Sequence, residues 1–171
     1  MSKNKKVNAA ILIIGNEILS GRTQDTNTST LALWLNSIGI KVNEVRVIPD
    51  VEKTIVDTLN VLRKSNDYVF TTGGIGPTHD DITAQSVSKV FNQKYGVHKE
   101  AFKILDSYYK KGEFNKGRQR MAWMPEKAEL ILNPTSGAPG FSVENVFCLP
   151  CVPSIMKSML GGLKNKLAGG E

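Results

Sequence analysis

With 171 residues, 40% of them hydrophobic and 22% charged, the chain is sized for one domain with a substantial core, and no apolar run in it approaches a membrane span. The formal net charge of +6 comes from lysines scattered without a long block or aromatic interleaving, which argues against nucleic acid and suits a small phosphorylated ligand. The two cysteines, Cys148 and Cys151, form a single C-x-x-C with two histidines elsewhere, too few for a zinc centre.

The Lys-rich start, residues 1–6, reads as a flexible basic tip. The apolar run Val7 to Ile14 that follows is continuous, as in a strand covered on both faces. Gly15-Asn16-Glu17 comes next where a signal peptide would carry a small-residue cleavage site, so the expected location is the cytoplasm. Gly15 to Thr28 is a polar loop rich in hydroxyls. Leu31, Trp34, Leu35 and Ile38 then recur at helical spacing, and Gly39 ends that helix. "KVNEVRVI" alternates like a half-buried strand closed by Pro49-Asp50. Ile55, Leu59 and Leu62 mark a second helix and "DYVFTT" a third strand. Val87, Val90 and Phe91 mark a third helix; Phe102, Leu105 and Tyr109 mark a fourth. "AELILNP" is another short strand, and "GFSVENVFCLP" a hairpin turning at Glu144-Asn145. Pro153 starts a last helix ending near Gly161, with residues 161–171 a partly helical or frayed tail.

The alternation predicts one three-layer α/β/α sandwich over residues 7–160, with a mostly parallel sheet and a small antiparallel hairpin. Ligands of such folds bind beyond the carboxyl ends of the strands. Three polar loops should meet there: Gly15 to Thr28, Pro49-Asp50 and Gly73 to Thr83.

The third of these, "TTGGIGPTHDDIT", combines glycines with adjacent carboxylates. It is not a P-loop, and the dinucleotide fingerprint fails because His79 stands where the last glycine belongs. Its glycines still permit close backbone approach, and amides at the next helix start favour an anion. Thr78, Asp80, Asp81 and Thr83 supply more side chains than helix capping needs, although one of them is expected to cap. A carboxylate beside a phosphate requires either a divalent cation such as Mg²⁺ between them or a second role for the acid, such as gripping the N–H edge of a heterocycle.

This loop resembles the signature of the molybdopterin-binding MoaB/Mog domain, most closely the branch found at the N-terminus of CinA proteins. "GNEILSGRTQDTNTSTLALWL", "RMAWMPEKAELILNPTSGAPGF" and "LPCVPSIM" resemble other segments of that branch, so the likeness covers nearly the whole chain. It implies the molybdopterin-binding three-layer fold, a homo-oligomer (dimer or trimer), and molybdopterin or an adenine nucleotide as ligand. It further implies that Gly73, Gly74 and Gly76, with Pro77, Thr78 and Thr83, form the phosphate loop, and that Asp81 and Asp50 are its key acidic positions, with Asp80 and Asp81 facing any metal. Glu17, Ser20, Thr26 and Asn27 fall on the opening loop that faces the nucleotide. Two departures stand in the last turn, where Cys151 replaces a glycine and Ile155 a glutamate; they bear on pyrophosphatase activity more than on binding. The amidohydrolase domain that follows in CinA proteins is not expected.

Three readings remain open at this stage: a pterin- or nucleotide-phosphate-binding protein, a divalent-cation-dependent hydrolase of nucleotide pyrophosphates using the same pocket, and a C-x-x-C thiol redox protein. His79 and His98 read as solvated positions. Arg118 and Arg120 are either a phosphate clamp or a solvated basic stretch. Trp34 reads as core, and Trp123 as core or a subunit contact.

Overall fold

The computed structural model describes residues 6–167, apart from the side chain of Asn165. All of the expected basic tip except Lys6, and the last four residues of the tail, lie outside the described residues. In chain order the elements are β1 (Val7–Ile14), α1 (Asn16–Leu19), α2 (Asn27–Ser37), β2 (Ile40–Ile48), α3 (Glu52–Ser65), β3 (Tyr68–Thr72), α4 (Thr83–Val90), β4 (Tyr95–Val97), α5 (Lys99–Tyr108), α6 (Lys116–Gln119), β5 (Trp123–Pro125), β6 (Glu129–Ile131), β7 (Gly140–Val143), β8 (Val146–Leu149) and α7 (Pro153–Leu160).

Six strands form one sheet in the order β2-β1-β3-β8-β7-β6. β2, β1, β3 and β8 are parallel, while β7 runs antiparallel to β8 and β6 antiparallel to β7. The β1 run sets the layering. Ala9, Ile11 and Ile13 face one core with Leu31 and Leu35 of α2 and Met156, Met159 and Leu160 of α7. Ala10, Leu12 and Ile14 face a second core with Ile55, Leu59 and Leu62 of α3 and Val87 of α4. Each fully buried Leu or Ile contributes about 1.5–3 kcal/mol, so a strand with alternate residues buried on both sides is the natural centre of the sheet.

The expected elements appear, and three details go beyond what was expected. First, the hairpin turning at Glu144-Asn145 joins the main sheet, because β8 pairs with β3 through Val69↔Val146 to Thr72↔Leu149. Second, a separate two-stranded sheet forms from β4 and β5. Trp123 of β5 is 38% exposed and tilts over Tyr95 at 5.5 Å, so it is not a core residue. Third, the tail packs as far as it is described: Leu163 is fully buried beside α7 and a 3-10 turn follows over Lys164–Lys166. Trp34 is half-buried and packs on the α2 side core. Among the described residues no helix is long and apolar enough to cross a membrane.

Candidate functional site

Chain order reverses between β1 and β3, since β2 returns on one side of β1 and β3 on the other. That reversal opens a crevice at the carboxyl ends of the parallel strands. Four turns enter it: Gly15 onward after β1, Pro49-Asp50 after β2, Gly73 onward after β3, and Pro150 to Val152 after β8. The last was not among the three loops expected. Its sequence signal is a proline-bracketed turn between an apolar strand and a helix start.

The glycine loop is held rigidly. Gly73 and Gly74 have φ of +98° and +74°, conformations that favour glycine. The Gly73 amide donates to Leu149 C=O at 3.0 Å, extending the β3–β8 ladder, so that amide is consumed by the sheet. Thr83 is fully buried; its hydroxyl donates to Gly73 C=O and its amide to Gly74 C=O, each at 3.0 Å. Thr83 therefore braces the loop from behind. The amides of Gly74, Ile75 and Gly76 make no hydrogen bond among the described residues.

Asp81 does not cap α4, whose N-cap is Ile82 with no side-chain bond. Its Oδ2 instead accepts from Thr78 N–H at 2.9 Å and Thr78 Oγ1 at 2.8 Å, and Asp81 N–H donates back to Thr78 C=O at 3.1 Å. The expected helix cap is thus a closed turn within the loop, and Oδ1 of Asp81 keeps its acceptor capacity. Asp80 is exposed beside His79 at 3.5 Å, on the solvent side.

Asp50 exchanges bonds with the other turn: Asn16 N–H donates to Asp50 Oδ2 at 3.4 Å, and Asp50 N–H to Asn16 Oδ1 at 3.3 Å. Burial raises the Asp50 carboxyl above the ordinary aspartate range; repulsion from Glu17, Asp81 and Asp80 adds to this, against the Asn16 amide. An acidic cavity of about 250 Å³ joins Glu17, Arg22, Asp50, Gly74, Asp80 and Asp81. Among the described residues no group of three or more His, Cys, Asp or Glu is close enough to hold a metal ion.

Two less polar cavities flank it. One, about 360 Å³, lies beyond Gly74–Pro77 and is walled by Asp81, Met121, Asn133, Ser136 and Ile155. The other, about 350 Å³, lies on the opening-loop side with Glu17, Ile18, Thr26, Asn27 and Thr72. There Asn27 Nδ2 donates to Cys151 C=O at 2.8 Å, while Asn27 Oδ1 and Thr72 Oγ1 are buried without a partner. Asp25 organises this end of α2 by accepting from the amides of Asn27 and Thr28. Ser20 lines none of the three cavities; its hydroxyl bonds Glu17 C=O and Arg22 Nε. Cys151 lines all three.

The two thiols are unbonded and differ in exposure: Cys148 is fully buried and burial pushes its thiol up to about 12, while Cys151 keeps an exposed edge and its thiol is raised by partial desolvation and nearby carboxylates. Both shifts oppose thiolate formation. His98 is the N-cap of α5, its Nδ1 accepting from Ala101 N–H at 3.2 Å. Arg118 donates to Glu113 C=O and lies 4.6 Å over Tyr109, whereas Arg120 lines a narrow cleft with Gly74 and Gly76.

Residues 10–168 match the family described as "Probable molybdopterin binding domain". A protein from Archaeoglobus fulgidus is 35% identical over 161 residues, covering 94% of this chain and 69% of its own length. The curated relatives are longer, the chain spanning from 37% to 69% of those it matches most strongly. The protein CinA of Thermoplasma acidophilum has the same fold at a TM-score of 0.88 and 32% identity, covering 96% of this chain and 99% of that one. The molybdopterin biosynthesis enzyme MoaB of Thermus thermophilus shares the fold at a TM-score of 0.65 and 18% identity, covering 94% and 91%. The chain therefore belongs to the probable molybdopterin binding domain family, as a MoaB/Mog-like domain of the CinA type.

Proposed function

We propose that this protein binds a pterin or nucleotide phosphate across the glycine loop. The observation that carries the reading is the run of three amides, Gly74 to Gly76, left without partners in a loop fixed at the strand tips. Such a run takes an anion, and Arg120 lines the same cleft as Gly74, Ile75 and Gly76. The cavity with Pro77, Asn133 and Ser136 has the volume of a ring system. Asp81, with Oδ1 uncommitted, is placed to accept from an N–H edge or to face a cation.

A thermal-shift screen tests this with pterin phosphates and adenine nucleotides, with and without Mg²⁺. A ligand at a hundredfold excess over its Kd stabilises by ~2.7 kcal/mol, or roughly 5–10 °C for a domain of this size. Asp81→Asn keeps an oxygen for Thr78 and removes the charge, so it should melt like wild type alone and respond much less to ligand. No shift with any member of the screen, or an equal shift in the variant, refutes the reading.

Glu17, Asp50, Asp80 and Asp81 line one cavity with Gly73 and Gly74, which favours a second reading, hydrolysis of a nucleotide pyrophosphate. These hard oxygen donors suit Mg²⁺, and Asp50 and Asp81 are the residues proposed to hold it. A bound divalent cation would supply charge neutralisation and an activated water. The chain's own part is to hold the phosphates on the loop amides and fix the two carboxylates through Asn16 and Thr78. Release of AMP from ADP-ribose or FAD, dependent on added Mg²⁺ or Co²⁺ and lost in Asp50→Asn, tests it; no AMP under any of these conditions rejects it.

A further inference from the structure

We infer that the Cys151 side chain is a specificity-determining wall in the crevice. It divides the opening-loop cavity from the other two, so that a compact monophosphate is favoured over a two-ended pyrophosphate that runs between them. This rests on the ligand reading above and sharpens it to a size class.

The linings show where the wall stands. The opening-loop cavity and the cavity beyond Gly74–Pro77 share two residues, Cys151 and Val152. The opening-loop cavity meets the acidic one at Ile14, Glu17 and Cys151. The acidic cavity meets the one beyond Gly74–Pro77 at Gly74, Asp81 and Cys151. Cys151 is the residue common to all of these boundaries.

The backbone beneath the thiol is fixed. Cys151 C=O accepts from Asn27 Nδ2 at 2.8 Å, and the Asn27 amide is itself held by Asp25 Oδ1 at 3.0 Å. Two residues earlier, Leu149 C=O takes the Gly73 amide at 3.0 Å. Gly73 leaves its α-carbon bare towards the turn, where an added Cβ would stand 3.9 Å from Cys151 Cβ. The turn is thus laced both to the start of α2 and to the glycine loop.

The space behind the wall has its own chemistry. No Lys or Arg is among the described residues that line the opening-loop cavity, and Glu17 is, so a phosphate is disfavoured there. Asn27 and Thr72 line it at 6% and 1% exposure, and Asn27 Oδ1 and Thr72 Oγ1 lack a protein partner. With Nδ2 of Asn27 spent on Cys151 C=O, Oδ1 is left to accept. Buried polar atoms call for a hydrogen-bonding partner, and the group that suits these is uncharged and carries a hydroxyl or amino donor. Gly74, Ile75 and Gly76, whose amides suit phosphate, line the cavity beyond the loop and not this one. A ligand with phosphates on those amides and an uncharged sugar at its far end therefore has to pass Cys151 to reach Asn27 and Thr72.

A size series at position 151 tests this by isothermal titration calorimetry, with AMP as the compact probe and ADP-ribose as the two-ended one. Titrations are run with and without Mg²⁺, and chromatography checks that the probe is intact. The readout is the ratio of ADP-ribose affinity to AMP affinity. Cys151→Ala shortens the wall and should raise the ratio roughly tenfold or more, and Cys151→Met lengthens it and should lower the ratio by a similar factor, as methylene-sized changes do in a pocket. Cys151→Ser is close in size and should keep the wild-type ratio, which sets size apart from thiol chemistry. Adding Thr72→Val to Cys151→Ala should cancel most of the gain for ADP-ribose and leave AMP unchanged. Circular dichroism should show every variant folded like wild type. AMP binding with one ratio from Ala to Met overturns the inference and leaves the ligand reading standing. A rise in Cys151→Ser equal to that in Cys151→Ala overturns it, and so does a gain that survives Thr72→Val. If neither probe binds any of these proteins, the inference falls together with the nucleotide arm of the ligand reading.

Discussion

Gly73→Ala is the sharpest test of how the loop is held. A Cβ built on Gly73 would lie 2.2 Å from the carbonyl oxygen of Ile14, and φ is +98°. That oxygen belongs to β1, which is clamped between β2 and β3 and cannot retreat. The left-handed conformation costs an L-residue about 1–2 kcal/mol, and overpacking against fixed backbone a further ~1–3 kcal/mol. The sum, about 2–5 kcal/mol, lowers Tm by roughly 5–20 °C at 2–4 °C per kcal/mol. Two other glycines separate the terms. Gly21 has φ of +80° with nothing within 4 Å, so Gly21→Ala carries the conformational cost alone, a drop of about 2–8 °C. Gly96 has neither a positive φ nor a neighbour within 4 Å, so Gly96→Ala should stay within about 2 °C of wild type or rise slightly. Differential scanning calorimetry on the four proteins reads the order directly. If Gly73→Ala melts no lower than Gly21→Ala, the loop is not wedged against β1 and the account of its rigidity is wrong.

Thr83→Val keeps shape and removes the hydroxyl that serves Gly73 C=O; it should cost about 1–3 kcal/mol in denaturant midpoints, and a neutral result would deny Thr83 its bracing role. A thiol reagent at neutral pH should modify one cysteine in the native protein, Cys151, and both after denaturation, since Cys148 is fully buried with its thiol raised to about 12; rapid native labelling of both would contradict the burial. Asp50 has a raised folded pKa, so its folded-state penalty is absent below the unfolded value of 3.8 and develops as pH rises through the folded pKa. Asp50→Asn should therefore gain stability relative to wild type at pH 7 and lose that gain near pH 3.5, measured by Tm across the range; a pH-independent difference would remove the electrostatic origin.

The sequence revealed most where a period or a steric demand is local. β1 was readable because Val7 to Ile14 is apolar throughout, and it is buried on both faces. The α2 stripe gave Leu31 and Leu35, and the β7–β8 turn fell at Glu144, which has φ of +50°. The three-residue strands β4 and β5 have no period to read; Met124 anchors them in the core and Tyr95 meets Trp123 only after folding. The short helices α1 and α6 hide in polar stretches for the same reason. The expectation that one of Thr78, Asp80, Asp81 and Thr83 caps α4 fails because a cap and an i to i+3 turn use the same residue types at the same offset; only the backbone decides which amide Asp81 meets. Thr83 was placed on the ligand side, yet its hydroxyl points into the protein because Gly74 leaves it room: a Cβ there would sit 2.0 Å from Thr83 Oγ1.

Those clearances also explain why glycines and carboxylates share one loop. Gly73 is required by Ile14, and Gly74 by Thr83, before any ligand is considered. The loop is thereby pressed against the strand tips, and it separates two environments. On one side lies the acidic cavity with Glu17, Asp50 and Asp80; on the other lies the cavity with Met121, Asn133 and Ser136, which Asp81 alone among the carboxylates also reaches. An anion on the amides of Gly74 to Gly76 need not enter the acidic side, so the two charge preferences do not compete for one position. Asp81, anchored by Thr78 at one oxygen, lines both sides. A ligand that occupies only one side should therefore lose part of its affinity in Asp81→Asn, and one that spans the loop should lose more.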